Sequence, residues 1–392
     1  MHYLDHAATT PLRPEALAAM APAAEAWGNP SSLHAEGRRA KVLLEGARAR
    51  VAAALGAEPG EVVFTSGGTE ADTLALRGAL AAQPGRPGLV TSAVEHHAVL
   101  EPAQALADGG APVAFLPPGP DGAPSADRVA AVVGDDTGLV SVMLVNNETG
   151  ARADVAGIAR TAHAAGALCH TDAVQAPGVL ALDVDALGVD LLTVSAHKLG
   201  GPKGAGALYV RSGTPLAAVV AGGAQERRRR GGTENVAGAL GLAEALALAV
   251  AEREAEAPRL EALRDRLLAR LRAALDASGQ AGRLVVNTPG LGTPGASAPH
   301  ILSVSVRPGG APVDGEMLLL GLDLAGVAVS SGSACTSGAL EPSHVLLAAG
   351  VPRETAAATV RFSLGRTTTA ADVDAGADAL AAHIARLGGA GG

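Results

Sequence analysis

Lysine is nearly absent from this chain, and the positions where it persists are informative. Of 30 basic residues three are lysines: Lys41, Lys198 and Lys203. Lys198 closes the run Leu191-Leu192-Thr193-Val194-Ser195-Ala196-His197-Lys198 and is followed by Leu199-Gly200-Gly201-Pro202-Lys203-Gly204. An apolar, β-branched stretch that ends in Ser-x-His-Lys before a glycine-rich turn predicts a buried strand delivering an amine to its carboxyl end. In open α/β folds that edge is where ligands bind. Arginine can replace lysine wherever a solvated charge is enough. It cannot where the amine must form a Schiff base, because a guanidinium stays protonated and is not a nucleophile. Covalent amine chemistry is one reading of Lys198; a strand-end lysine that only reaches out to solvent is the other.

Further segments carry groups that could serve such an amine. Ser66-Gly67-Gly68-Thr69-Glu70 joins a predicted strand to a predicted helix, so its backbone N–H groups and the Thr69 hydroxyl form an anion cradle or merely a tight connection. It lacks the Gly-Lys-Ser/Thr ending of a Walker loop. Asp172, in His170-Thr171-Asp172-Ala173-Val174-Gln175, stands at another strand end, either to pair with a ligand cation or to cap a helix. His96, in Glu95-His96-His97, could stack its imidazole on a planar cofactor. Adjacent side chains on a helix do not face the same way, and no cluster has zinc-like spacing, so no metal is expected. Asn146 and Asn147 end a further apolar strand. Only two cysteines occur. Cys335 sits in Ser330-Ser331-Gly332-Ser333-Ala334-Cys335-Thr336-Ser337-Gly338, an exposed loop composition in which a thiolate can travel. Cys169 falls inside a predicted strand and reads as an inert core thiol.

These residues need a scaffold, and 392 residues are ample for a large core and two domains. Short strands alternate with helical stretches from about 40 to 245: Glu61–Thr65, Gly88–Ser92, Gly138–Val145, Ala167–Thr171 and Leu191–Ser195 are the predicted strands, with a helix over Ala71–Leu80. That alternation predicts a mostly parallel sheet covered by helices. Near Ala251 the texture changes: Leu260, Leu263, Leu267, Leu271 and Leu275 recur at helical spacing, predicting a long amphipathic helix that opens a smaller domain. The net charge of −9 argues against general nucleic-acid or anionic-membrane binding. The start has no signal-peptide pattern, apolar runs are too short to span a membrane, and two cysteines suit a reducing cytoplasm.

In combination and in order, these segments resemble the cysteine desulfurases, pyridoxal-phosphate enzymes of aminotransferase class V. The matching pieces also include Tyr3-Leu4-Asp5-His6-Ala7-Ala8-Thr9-Thr10-Pro11, Gly28-Asn29-Pro30-Ser31-Ser32-Leu33-His34, Arg230-Gly231-Gly232-Thr233-Glu234-Asn235 and Arg361-Phe362-Ser363-Leu364-Gly365-Arg366. The resemblance spans nearly the whole chain, and the Cys335 run is similar to that of the NifS- and IscS-like group. It implies a fold-type-I α/β architecture: a large domain over 13–248 with a mostly parallel seven-stranded sheet, and a smaller α+β domain formed by 1–12 and 249–392. It implies that Lys198 holds pyridoxal phosphate and moves protons, that Asp172 pairs with the pyridine nitrogen, that His96 stacks on the ring and that Gln175 bonds its phenolic oxygen. Gly68, Thr69, Ser195 and His197 would hold the phosphate, with Thr233 reaching in from a second subunit of a homodimer. Asn147 and Arg361 would hold the carboxylate of L-cysteine, and Cys335 would accept its sulfur. The acceptor protein beyond Cys335, an Fe–S scaffold or a tRNA-thiolation enzyme, has no signature in the residues.

Two other readings compete. A plain class V aminotransferase leaves Cys335 without a purpose, whereas selenocysteine lyase activity is compatible as a side reaction. A catalytically silent partner subunit is opposed by the presence of Lys198, Asp172 and Cys335 together. The Arg227–Arg230 run reads as a solvated loop, or as a contact for tRNA or an acidic protein.

Overall fold

In chain order the strands are β1 (His2–Tyr3), β2 (Val62–Thr65), β3 (Gly88–Ser92), β4 (Val113–Leu116), β5 (Thr137–Ser141), β6 (Leu168–Asp172), β7 (Leu191–Ser195), β8 (Gly206–Val210), β9 (Leu284–Val286), β10 (Ile301–Val306), β11 (Val327–Ala328) and β12 (Thr359–Ser363). The structure, a computed structural model, describes residues 1–293, 295–309, 312–332 and 341–389. Seven strands form one sheet in the order β2-β8-β7-β6-β5-β3-β4. Only β8 runs against its neighbours, so the sheet is mostly parallel, as the alternating pattern predicts. β4 and β8 extend it beyond the five strands read from apolar runs.

Strands covered on both faces read as continuous apolar runs, and β7 shows why. Its pleat sends alternate side chains to opposite faces. Leu192 and Val194 join one core with Val51, Ile158, Cys169 and Leu246. Leu191 joins a second, with Leu76, Leu89, Leu139 and Leu208 on the other face. The run expected as a strand over Gly138–Val145 leaves its ladder with β3 at Ser141. β3 ends at Ser92 and turns away, while Val142 and Leu144 still donate to His170 O and Asp172 O of the β6 side. The chain is thereby free to bend and carry Asn146 and Asn147 over the sheet edge.

The long helix does not open near Ala251. It runs unbroken from Val236 to Ala277, with Asn235 as its N-cap accepting from Gly238 N–H at 2.9 Å. The change in texture marks where the helix changes partners. Its first half packs Leu242, Leu246 and Ala249 on the large-sheet core. Its second half packs Leu260, Leu267, Leu271 and Leu275 with Leu302, Val360, Phe362 and Leu380. The latter core holds the antiparallel sheet β12-β10-β9 and the helix Ala370–Gly389. The N-terminal segment joins it: β1 pairs with β11, and Asp5 bridges to Ser363. Among the described residues no helix is long and apolar enough to cross a membrane.

Candidate active site

The carboxyl ends of β2, β3, β5, β6 and β7 lie along one edge of the sheet, and the chemistry-bearing residues follow those ends directly. Gly68 and Thr69 open the helical run after β2, His96 caps the helix His97–Asp108 after β3, Asp172 ends β6 and Gln175 lies in the turn that follows it. Ser195, His197 and Lys198 end β7, the last two in a short 3-10 turn. All of them, together with Asn147 and Arg361, line one cavity of about 390 Å3. One of the expected residues is not in it. Thr233 lines a separate recess with Ser66, Arg230 and Glu234. Cys335 lies outside the described residues, although Ser330 and Gly332 before it and His344 after it line the cavity.

The Lys198 amine donates to the carbonyls of Ala7 and Ala8, the second at 2.9 Å, and the Gln175 amide donates to Ala7 O at the same distance. The N-terminal segment therefore forms the wall against which the amine rests. Burial pushes the Lys198 pKa down to about 8; the Arg361 charge adds to this, while Asp172 and Asp5 oppose it. A lysine in this state is a usable nucleophile and proton carrier near neutrality. It is not a lysine that merely reaches solvent.

Asp172 accepts from Val174 N–H at 2.8 Å in a turn on the cavity wall; the next helix, Val184–Leu187, is capped by Asp183, so Asp172 is not a helix cap. Burial raises its pKa to about 6, with the Val174 bond and Lys198 opposing. Beneath it, His170 Nδ1 meets Ser141 Oγ at 2.8 Å and His170 Nε2 meets Thr193 Oγ1 at 3.2 Å. His96 Nδ1 accepts from Ala98 N–H at 3.0 Å, which fixes the ring. Burial, aided by the Lys198 charge, lowers His96 to about 4, so the ring is neutral and can lie flat on an aromatic group. Arg361 donates through Nη1 to Asn147 O and through Nη2 to Asp5.

These residues fit pyridoxal phosphate. Ser195 Oγ is buried with no hydrogen-bond partner, beside the helix start at Gly68 and Thr69, as a phosphate site needs. A Cβ on Gly68 would come within 3.1 Å of Val174, closing the cradle. A buried carboxyl suits a protonated ring nitrogen, and the cavity is of small-molecule size.

Several wall residues were not read from the sequence. Asp72 is buried, one helical turn after Gly68, with Oδ1 unpartnered and 3.6 Å from His170 Nε2. Glu148 is buried, accepts from the Ser343 hydroxyl, and has a pKa raised by burial. His344 Nε2 meets Glu95 O at 2.9 Å. The signal for Asp72 was its spacing from Gly68; Glu148 and His344 become wall residues only by tertiary contact. Of the arginine run, Arg230 is not solvated loop: it pairs with Glu70 at 2.8 Å, and Glu70 also accepts from Ser66 N–H.

Comparison with known proteins agrees with this geometry. Residues 2–375 match the family Aminotransferase class-V. Cysteine desulfurase IscS of Dictyoglomus turgidum is 43% identical over 98% of this chain and 95% of its own. A cysteine desulfurase of Cereibacter sphaeroides is 46% identical over 95% and 92%. Among solved structures, a NifS-like protein superposes with a TM-score of 0.86 at 34% identity, covering 97% of this chain and 98% of its own. SspA in complex with cysteine superposes with a TM-score of 0.77 at 31% identity, covering 93% and 99%. The chain belongs to the class V aminotransferase family, as a pyridoxal-phosphate enzyme of the cysteine desulfurase type.

Proposed function

We propose that this protein converts L-cysteine to L-alanine and takes the sulfur onto Cys335 as a persulfide, for delivery to an acceptor protein such as an Fe–S scaffold or a tRNA-thiolation enzyme. The observation that carries the reading is the desolvated Lys198 amine facing Arg361 and Asp172 across one cavity. Pyridoxal phosphate, when bound there, supplies an electron sink that weakens the Cα–H and C–S bonds of an amino acid. Asp172 and Gln175 would hold its ring from one side and His96 would lie on its face. Gly68, Thr69, Ser195 and His197 would hold the phosphate.

Arg361 and Asn147 orient the substrate carboxylate, a task suited to a planar guanidinium. Lys198 takes the proton from Cα and returns one to the substrate. The Cβ–S bond of cysteine breaks, a sulfur–sulfur bond forms at Cys335, and Cβ gains a proton, so cysteine plus thiol becomes alanine plus persulfide. Thr233 stands outside its own cavity, so we assign it to the phosphate site of a second subunit in a homodimer. We also assign 13–248 to the large domain, 1–12 and 249–392 to the small one, and the protein to a reducing cytoplasm. Purified protein loaded with pyridoxal phosphate should release alanine from L-cysteine, with a reductant-labile sulfur recovered on the enzyme. Alanine without enzyme-bound sulfur would favour a selenocysteine lyase, whereas pyruvate, ammonia and sulfide would favour a β-eliminating enzyme.

A further inference from the structure

Behind Lys198 lies a second cavity, of about 90 Å3, separate from the one just described. Lys198, Gln175, Glu252 and the exposed Arg366 all line it. Two histidines that the proposed reaction does not use, His6 and His300, line it as well. His6 is 5% exposed and His300 7%, and each has a ring nitrogen, His6 Nε2 and His300 Nδ1, that is buried without a hydrogen-bond partner. Both rings are neutral at ordinary pH, because burial lowers them to about 4 and about 3.

The fold makes room for this arrangement. His6 donates its N–H to Ser363 O, and Leu364 N–H donates to His300 O, so the N-terminal segment and the ends of β10 and β12 close around the pair. A Cβ on Gly365 would sit 2.3 Å from His6 Nδ1, so only glycine lets the ring occupy its place. His6 also runs directly into Ala7 and Ala8, whose carbonyls hold the Lys198 amine. A buried imidazole nitrogen left unsatisfied costs about 1–3 kcal/mol. Two on the wall of one cavity that also carries Thr10, Arg13 and Glu256, with space for more than one water at roughly 30 Å3 each, are satisfied most simply by water.

We propose that this cavity is a hydrated proton path, in which His6 and His300 hold a short file of water molecules through which the Lys198 amine exchanges protons with bulk solvent during turnover. The inference rests on the reading of Lys198 as the proton carrier. Each exchange is neutral overall: the ammonium passes a proton to the adjacent water, and the outermost water releases one to solvent.

The test has two arms, made on the loaded enzyme. A high-resolution crystal structure should show ordered water within hydrogen-bond distance of both nitrogens. Turnover of L-cysteine in D2O should place solvent deuterium at Cα of the alanine formed. His300→Leu and His6→Leu, with cofactor content and thermal stability checked, should lower that deuterium content several-fold. His300→Asn and His6→Gln, which restore a polar atom near the lost nitrogen, should recover it. A dry cavity, or labelling in both leucine variants equal to that of the parent, overturns the path. Failure of the underlying reading is a different result, namely Lys198→Ala that still turns over.

Discussion

Arg361 Nη2 lies 2.8 Å from Asp5 Oδ1, so two residues 356 positions apart meet on the cavity wall. Nη1 is engaged by Asn147 O at 2.9 Å, and the buried Nε has no partner. The guanidinium is thus aimed before substrate arrives and still has donors to offer. Arg361→Ala should raise KM for L-cysteine by about 10- to 100-fold, the range expected for a lost charged hydrogen bond. Asp5→Asn should raise it less. Cofactor content, read from absorbance, should be unchanged in Arg361→Ala; its loss would move Arg361 into the cofactor site.

Lys198 should be the cofactor anchor. Borohydride reduction and peptide mapping should find the pyridoxyl group there and not on Lys41 or Lys203. Lys198→Ala should still bind pyridoxal phosphate, through the phosphate cradle and Asp172, with no detectable turnover. The amine must be neutral to attack, and its pKa is lowered to about 8. Covalent capture of the cofactor by the apoprotein should therefore speed up as pH rises through about 8. Stopped-flow absorbance checks this, and a flat profile between pH 6 and 9 would refute it.

The two cysteines should behave oppositely. Cys335→Ser should keep its cofactor, form no persulfide and release little alanine, as read by mass spectrometry of the protein. Cys169 is fully buried within β6, and burial pushes its thiol pKa up, so it is neither reachable nor ionised. Cys169→Ser should turn over like the parent. Persulfide found on Cys169, or parent-rate sulfide release from Cys335→Ser, would contradict the assignment.

Buried neutral histidines should make the fold acid-sensitive. His300 titrates near 6.5 when unfolded and near 3 when folded. A lowered histidine pKa means that the unfolded chain binds more protons below about pH 6.5. This stabilising contribution is therefore complete above that pH and is lost as pH falls towards 3. Between pH 7 and 5 the loss should be about 2 kcal/mol from this residue. Denaturant midpoints should fall over that range in the parent and fall less in His300→Asn.

The local parts of this site were legible because they are local. Lys198, Asp172, His96 and the Gly68–Thr69 turn each follow a strand, and strands covered on both faces announce themselves as apolar runs. The long helix was legible only in its amphipathic second half. Its first half, rich in alanine and glycine, is buried among other elements and shows no polar face to mark the period. Asp72 was missed because a carboxylate one turn into a helix that already carries Glu70 in its first turn reads as ordinary helix polarity, and only burial reveals it as a wall residue.

Residue types and their order determined by themselves the chemistry of this chain: a retained lysine at a strand end, a glycine-rich turn between strand and helix, and a cysteine among small residues. Those features depend on covalent neighbours and on backbone preferences that act over a few positions. Only the tertiary structure decided that the N-terminal Asp5–Ala8 segment walls in Lys198 and orients Arg361, and that His6 and His300 share a cavity behind the amine. Such contacts join residues hundreds of positions apart. Desolvation, which sets the Lys198 and His96 protonation states, arises only when the sheet edge and the second core close over them.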